Sequence, residues 1–377
     1  MPRFERGQGD SMRFWEIERE GAVLELDYGK GAERATRVRR SFESEATAQA
    51  TLDKLVQEKV AQGYVCLDTL PVDARRAKLL EAAGSSLELG PEPGRARIVY
   101  GTDLAGMDFA DVLRRLLADP DLRVARLSTS LSFSTDFASI AAGLSRCREV
   151  GWLQSLTACT FDEAEAFFGT RLELSGLPPA FAGLRALQLQ AGTLVVDELA
   201  LPGLRTLQLR SAAMDRRTVA MLAREDWPEL TELALWLGSP RLGCDVQLED
   251  LLPLLAPERF PKLRRLSLRA APFGSDLAEA LTASALVAQL EVLDLSLGTL
   301  GRRAVEHLRS QDSKLAHLRR LDLTLNELPP GAELDGVAKF VAIGEQREPA
   351  GDPSRVEHFV PMYEGEGYLT ILNIGPE

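Results

Sequence analysis

Leu290-Glu291-Val292-Leu293-Asp294-Leu295 decides how this chain is read, because its L-x-x-L-x-L spacing recurs five more times. The other copies are Leu184/Leu187/Leu189, Leu204/Leu207/Leu209, Leu230/Leu233/Leu235, Leu263/Leu266/Leu268 and Leu318/Leu321/Leu323. Successive third leucines lie 20, 26, 33, 27 and 28 residues apart. Alternation along a strand sends the last two leucines of each copy to one face. Six copies at this period predict stacked strands that share one apolar layer, each unit depending on its neighbours for burial. Helix-like stretches at 216–224, 248–256, 275–285 and 302–310 separate the strands.

Working outward, 37 of the chain's 64 leucines fall between Leu184 and Leu325. The expected fold class is therefore an α/β leucine-rich-repeat solenoid, a horseshoe, over 98–339, with a C-terminal cap or tail over 340–377. Weaker copies are expected near 122–127, 147–152 and 171–174. Small residues (Gly192, Ala212, Gly238, Ala271, Gly298) follow five of the strands, and Asn326 the sixth. The segments Leu235-Trp236-Leu237-Gly238, Leu251-Leu252-Pro253-Leu254-Leu255, Glu258-Arg259-Phe260-Pro261, 290–301 and Phe340-Val341-Ala342-Ile343 resemble an uncharacterised bacterial leucine-rich-repeat protein family. That resemblance implies architecture and no chemistry. Residues flanking the third leucines face away from the apolar layer, which makes Gln190, Arg210, Trp236, Arg269, Asp294 and Asp322 the candidate protein-binding set. Aromatic and arginine anchors in a polar surround are what protein hot spots use. The alternative is that the insertion 238–246 covers Trp236.

The N-terminal part has a different pattern. Residues 1–10 are polar and expected to be loose. Two strands turning at Glu20-Gly21 follow, then a third at 36–42 and a helix that Ser44 caps and Gly63 ends, with apolar Ala48, Leu52, Leu55, Val56 and Val60 on one face. Tyr64-Val65-Cys66 closes the module. With Phe14-Trp15-Glu16, Tyr28-Gly29-Lys30, Thr36-Arg37-Val38, Ala48-Gln49-Ala50, Glu58-Lys59 and Gly63-Tyr64-Val65 in order, residues 11–66 resemble the WGR domain, here with Tyr28 and Lys30 where the signature has Trp and Arg. The resemblance implies a nucleic-acid contact in which Tyr28 supplies a ring and Lys30 a phosphate contact. Lys30, Arg34, Arg37, Arg39 and Arg40 against Glu33 give 28–42 a net charge of +4. A solvated strand and loop would look the same. Residues 67–97 read as a linker with a short helix at 73–83, and a second helix opens at Asp108.

The formal charge of −12 disfavours long-range attraction to phosphate backbones, so any nucleic-acid contact must be local. Four scattered cysteines and three late histidines give no thiolate zinc pattern, and metal and cofactor are expected to be none. No G-x-S-x-G, Walker, H-E-x-x-H or G-x-G-x-x-G element is present in the context its chemistry requires, which points away from an enzyme. The apolar runs are too short to span a bilayer, so a cytoplasmic protein is expected. The function expected is a scaffold that binds a protein partner through the repeat; the alternative is an adaptor that contacts DNA or RNA through 11–66.

Overall fold

A computed structural model of the chain describes residues 2–7, 12–30, 36–83, 87–89, 95–100, 115–117, 119, 126–131, 153–161, 170–177, 179–347, 359–361 and 368–370. The chain divides into two units, Met1–Glu88 with Thr102–Leu122, and Leu89–Gly101 with Arg123–Glu377.

In the first unit, β1 (Arg3–Arg6), β2 (Arg13–Glu20), β3 (Val23–Lys30), β4 (Thr36–Ser41) and β5 (Val65–Cys66) form an antiparallel sheet in the order β4-β3-β2-β1-β5. The β2-β3 hairpin turns at Gly21, whose φ of +57° lies in the left-handed region that glycine enters at least cost. Helix α1 (Glu45–Ala61) starts where the Ser44 hydroxyl accepts the Thr47 N–H. It lies on the face of Phe4, Trp15, Ile17, Leu24 and Leu26, adding Ala48, Leu52, Leu55 and Val56 to that core. The expected loose N-terminus is corrected: Arg3–Arg6 is an interior strand between β2 and β5, with Arg3, Phe4 and Glu5 all buried. A segment with one apolar side chain gives no periodic signal, and its ions are buried because other segments neutralise them.

Helix α2 (Val72–Ala83) belongs to this unit, as does the helical stretch 115–117, where Leu116 and Leu117 are fully buried. The first unit thus takes back a segment from inside the expected repeat. The opening of that helix at Asp108, and the linker residues 84–86 and 90–94, lie outside the described residues.

The second unit is built on a twelve-stranded sheet. Its strands are β6 (Leu87–Leu89), β7 (Arg95–Tyr100), β8 (Arg126–Leu131), β9 (Ser155–Phe161), β10 (Arg171–Leu174), β11 (Ala186–Val196), β12 (Thr206–Met214), β13 (Glu232–Trp236), β14 (Arg265–Arg269), β15 (Val292–Asp294), β16 (Arg320–Asp322) and β17 (Val341–Ala342). The order is β17-β16-β15-β14-β13-β12-β11-β9-β8-β7-β6, with β10 beside the C-terminal half of β11, and the pairings from β7 to β17 are parallel. The six leucine motifs supply β11 to β16 in strict register: Leu187, Leu207, Leu233, Leu266, Leu293 and Leu321 are cross-strand neighbours, each at most 2% exposed. Each buried leucine is worth about 1.5–3 kcal/mol relative to exposure.

The expected horseshoe is overturned by this arrangement. Its regular strand-plus-helix unit is missing, and what stands in its place is an α/β fold centred on one large parallel sheet with few helices. Among the described residues the second unit has α3 (Arg216–Arg224), α4 (Leu248–Leu251), α5 (Gly274–Ala283), α6 (Arg302–Ser310) and α7 (Asp312–Leu315), interspersed with single 3-10 turns. No helix joins β11 to β12, and strand lengths fall from 11 residues in β11 to 2 in β17. Leucine spacing specifies which residues pair, whereas strand length and the chain between strands follow residues the motif leaves open.

After β17, the Gln346 side chain accepts the Leu328 N–H at 3.2 Å and donates to the Leu323 carbonyl at 3.0 Å. Arg347 donates to the carbonyls of Leu325 and Gly298, so 346–347 close the ends of β15 and β16. Farther on, β18 (Phe359–Pro361) and β19 (Tyr368–Thr370) form an antiparallel pair.

Candidate nucleic-acid interface

Strand alternation divides the first unit's sheet into two chemically different faces. Phe4, Trp15, Ile17, Leu24 and Leu26 face α1, and at one end of that face the same alternation places Arg6, Arg13, Tyr28 and Lys30. Arg6 pairs in register with Arg13, and Arg13 with Lys30, giving a row of three cations across β1, β2 and β3. All three are exposed, and none meets a carboxylate among the described residues. Tyr28 is 43% exposed, beside buried Trp15. Lys59 of α1 stands 5.7 Å from the Trp15 ring and 5.0 Å from that of Tyr64, adding a fourth positive charge over this face.

The other sequence candidates separate from these. Arg37 and Arg39 point to the opposite face, because they pair with Asp27 and Glu25 rather than with Tyr28. Arg37 grips Asp27 through two bonds of 2.8 and 2.7 Å, and Arg39 lies 3.8 Å from Glu25. The Asp27 hydrogen bond holds the Arg37 guanidinium even more firmly charged than usual. Both arginines are exposed but compensated by these carboxylates, so the local +4 overstates what a ligand would meet. Arg34 lies outside the described residues. Arg6 and Arg13, by contrast, were missed; recognising Arg3–Arg6 as a strand was the signal needed, since the pairing then follows.

The opposite face is an ionic layer, buried at Arg3, Glu5, Glu16 and Asp27 and exposed at Arg37. Arg3, Glu16, Asp27 and Arg37 are register neighbours across four strands, and Arg3 donates to Glu5 and Glu16 at 2.8 Å each. Arg115 and Lys78 also reach Glu5, at 2.8 and 3.4 Å.

In the second unit the structure brings Gln190, Arg210, Trp236 and Arg269 into one cross-strand row, with Asp294 and Asp322 on the same face one row away. Trp236 is not an open anchor. It is 6% exposed, stacked between the guanidinium groups of Arg210 and Arg269 at 4.6 and 4.7 Å from its ring centroid. It clusters with Ala234, Ala270, Leu297 and Leu325. The last three have φ of 54°, 66° and 56°, a left-handed bend that turns their side chains onto this face at a cost of about 1–2 kcal/mol each. Arg269 donates to Asp294 at 2.6 Å and Arg320 to Asp322 at 2.6 Å; Gln190 and both carboxylates are buried. The set is thus assembled, but engaged with itself.

Among the described residues no group of three or more His, Cys, Asp or Glu is placed to hold a metal, and no helix is long and apolar enough to cross a membrane. No curated protein matches the chain. Its structure is similar to a crystal structure of a protein from Bacteroides fragilis, with a TM-score of 0.58 and 22% identity over 92% of this chain and 97% of that one. That likeness concerns fold alone. Residues 3–69 match the WGR domain, a span that takes in β1 and with it Arg6, so the N-terminal antiparallel sheet with its covering helix is a WGR domain.

Proposed function

We propose that this chain is a nucleic-acid-associated binding protein whose WGR domain holds a sugar-phosphate backbone through Arg6, Arg13 and Lys30, with the Tyr28 ring against a sugar or base. The observation that carries this reading is the cation row: three exposed positive side chains in register on a sheet where Arg3, Arg37 and Arg39 each face a carboxylate. Backbone binding needs such uncompensated charge, and an exposed aromatic beside it supplies a stacking surface. A protein partner on the face opposite the leucines has weaker support, because the Trp236 ring is enclosed and its neighbouring charges are paired. Fluorescence anisotropy with a labelled nicked duplex and a single-stranded RNA tests the proposal. Binding at low salt that Arg13→Ala with Lys30→Ala abolishes is expected; no binding by the wild type, or equal binding by the variant, overturns it.

A further inference from the structure

β1 is an unusual interior strand. It is four residues long, and of its buried side chains only Phe4 is apolar, while Arg3 and Glu5 are ions at 6% exposure each. A strand of this kind holds its place only if the buried charges are answered, since an unpaired ion away from water is strongly destabilising. Arg3 is answered within the sheet by Glu5 and Glu16, both at 2.8 Å. Glu5 faces Arg3, Arg115 and Lys78, and two of those three cations come from outside the sheet.

Arg115 belongs to a short segment fixed at both ends by ion pairs. At its far end Asp119 accepts from Arg75 Nε at 2.9 Å and Arg75 Nη2 at 3.3 Å, and Arg75 also donates to the Leu70 carbonyl. Between the two pairs Leu116 and Leu117 are fully buried. The anchor on Glu5 is not saturated, however: the buried Nε of Arg115 has no hydrogen-bond partner among the described residues. A buried guanidinium that leaves a donor unmet keeps part of its desolvation cost, so this contact is closer to balance than a fully bonded one.

We propose that Arg115, Leu116, Leu117 and Asp119 form a strap that keeps β1 in the WGR sheet, and thereby keeps Arg6 beside Arg13 and Lys30. Glu5 and Arg6 are adjacent on β1 and point to opposite faces, so the strap acts on one face and the cation row is completed on the other. When the strap is docked, β1 bridges β2 and β5. Without the Arg115 anchor, Glu5 loses a main counter-charge and β1 frays, leaving the row with two cations. The consequence for binding rests on the nucleic-acid reading above; the consequence for β1 does not.

Hydrogen exchange on the full chain, followed by mass spectrometry, tests the strap without any ligand. In Arg115→Gln the amides of 4–6 and 65–66 should exchange at least about tenfold faster than in the wild type, with 15–17, 24–26 and the parallel sheet unchanged; a tenfold change corresponds to about 1.4 kcal/mol of local opening. Asp119→Asn, which removes the other anchor and leaves Glu5 its partners, should act in the same direction and serves if Arg115→Gln does not fold. Unchanged exchange at 4–6 in both variants overturns the strap, and so does an equal rise across β2 and β3, which marks general destabilisation. Anisotropy with the nicked duplex forms the second arm: Arg115→Gln should bind as weakly as Arg6→Ala. Faster exchange at 4–6 with wild-type binding leaves the strap standing and removes Arg6 from the interface.

Discussion

Removing one member of the cation row should change how strongly binding responds to salt, by an amount that the geometry sets. Three exposed, uncompensated cations, Arg6, Arg13 and Lys30, give three phosphate contacts. For a duplex, the logarithm of affinity then falls with the logarithm of salt at a slope of about −0.9 per contact, or roughly −2.7 in all; for a single strand the figure is roughly −2.1. Between about 50 and 200 mM salt the wild type should lose about 40-fold in duplex affinity. Lys30→Ala should have a slope of roughly −1.8 and lose about 12-fold over the same range. Arg39→Ala is the control, because Arg39 sits 3.8 Å from Glu25 on the opposite face and should leave the slope unchanged. Anisotropy titrations at four salt concentrations measure both. Equal slopes for wild type and Lys30→Ala, or a shift in Arg39→Ala as large as in Lys30→Ala, would refute the reasoning.

Other consequences concern stability. Burial by itself would raise the Glu5 pKa, but Arg115 and Arg3 outweigh it and hold the carboxyl below its ordinary 4.5. A depressed folded pKa stabilises above the ordinary value and loses that contribution as pH falls through the folded one, so the wild-type thermal midpoint should drop on acidification more steeply than that of Glu5→Gln. Leu266→Ala, in the middle of the leucine row, should cost about 2–5 kcal/mol in urea denaturation, and a loss below about 1 kcal/mol would contradict a close-packed layer. At Gly238, φ is +87° and an added Cβ would lie 1.9 Å from the Ala212 carbonyl oxygen; Gly238→Ala should therefore destabilise by at least about 2 kcal/mol, whereas Gly331→Ala, with open space around it, should cost less. The buried Trp236 Nε1 has no hydrogen-bond partner among the described residues, so Trp236→Phe sheds an unmet donor while keeping a ring and should change stability by less than about 1 kcal/mol, against about 3–5 kcal/mol for Trp236→Ala.

What the sequence made legible were the elements whose pattern is self-contained. The leucine motifs located β11 to β16, and Ser44 with Gly63 bounded α1, because alternation and capping act within a few residues. The hairpin around Gly21 was visible for the same reason. β1 was hidden because its burial rests on Arg115 and Lys78, which lie 110 and 73 residues away and carry no local signal. The candidate site was legible in part: Tyr28 and Lys30 lie together, but which of the nearby arginines share their face depends on strand register, and register placed Arg37 and Arg39 behind the sheet. Trp236 was located correctly and its exposure was not, since the stacking arginines belong to neighbouring strands. The horseshoe expectation extrapolated a period in the leucines to a period in the connections, which the chain does not keep.

The chain enters the first unit, leaves it after Glu88, returns for Thr102–Leu122 and leaves again. A ribosome delivering this protein would therefore release the WGR segment well before Arg115, one of the three cations that neutralise Glu5. Until Arg115 has emerged, the nascent β1 carries two ions with only each other, Glu16 and Lys78 to answer them. Synthesis order thus assigns the N-terminal module a waiting period, and a gene fragment ending at Thr69 would leave that period permanent.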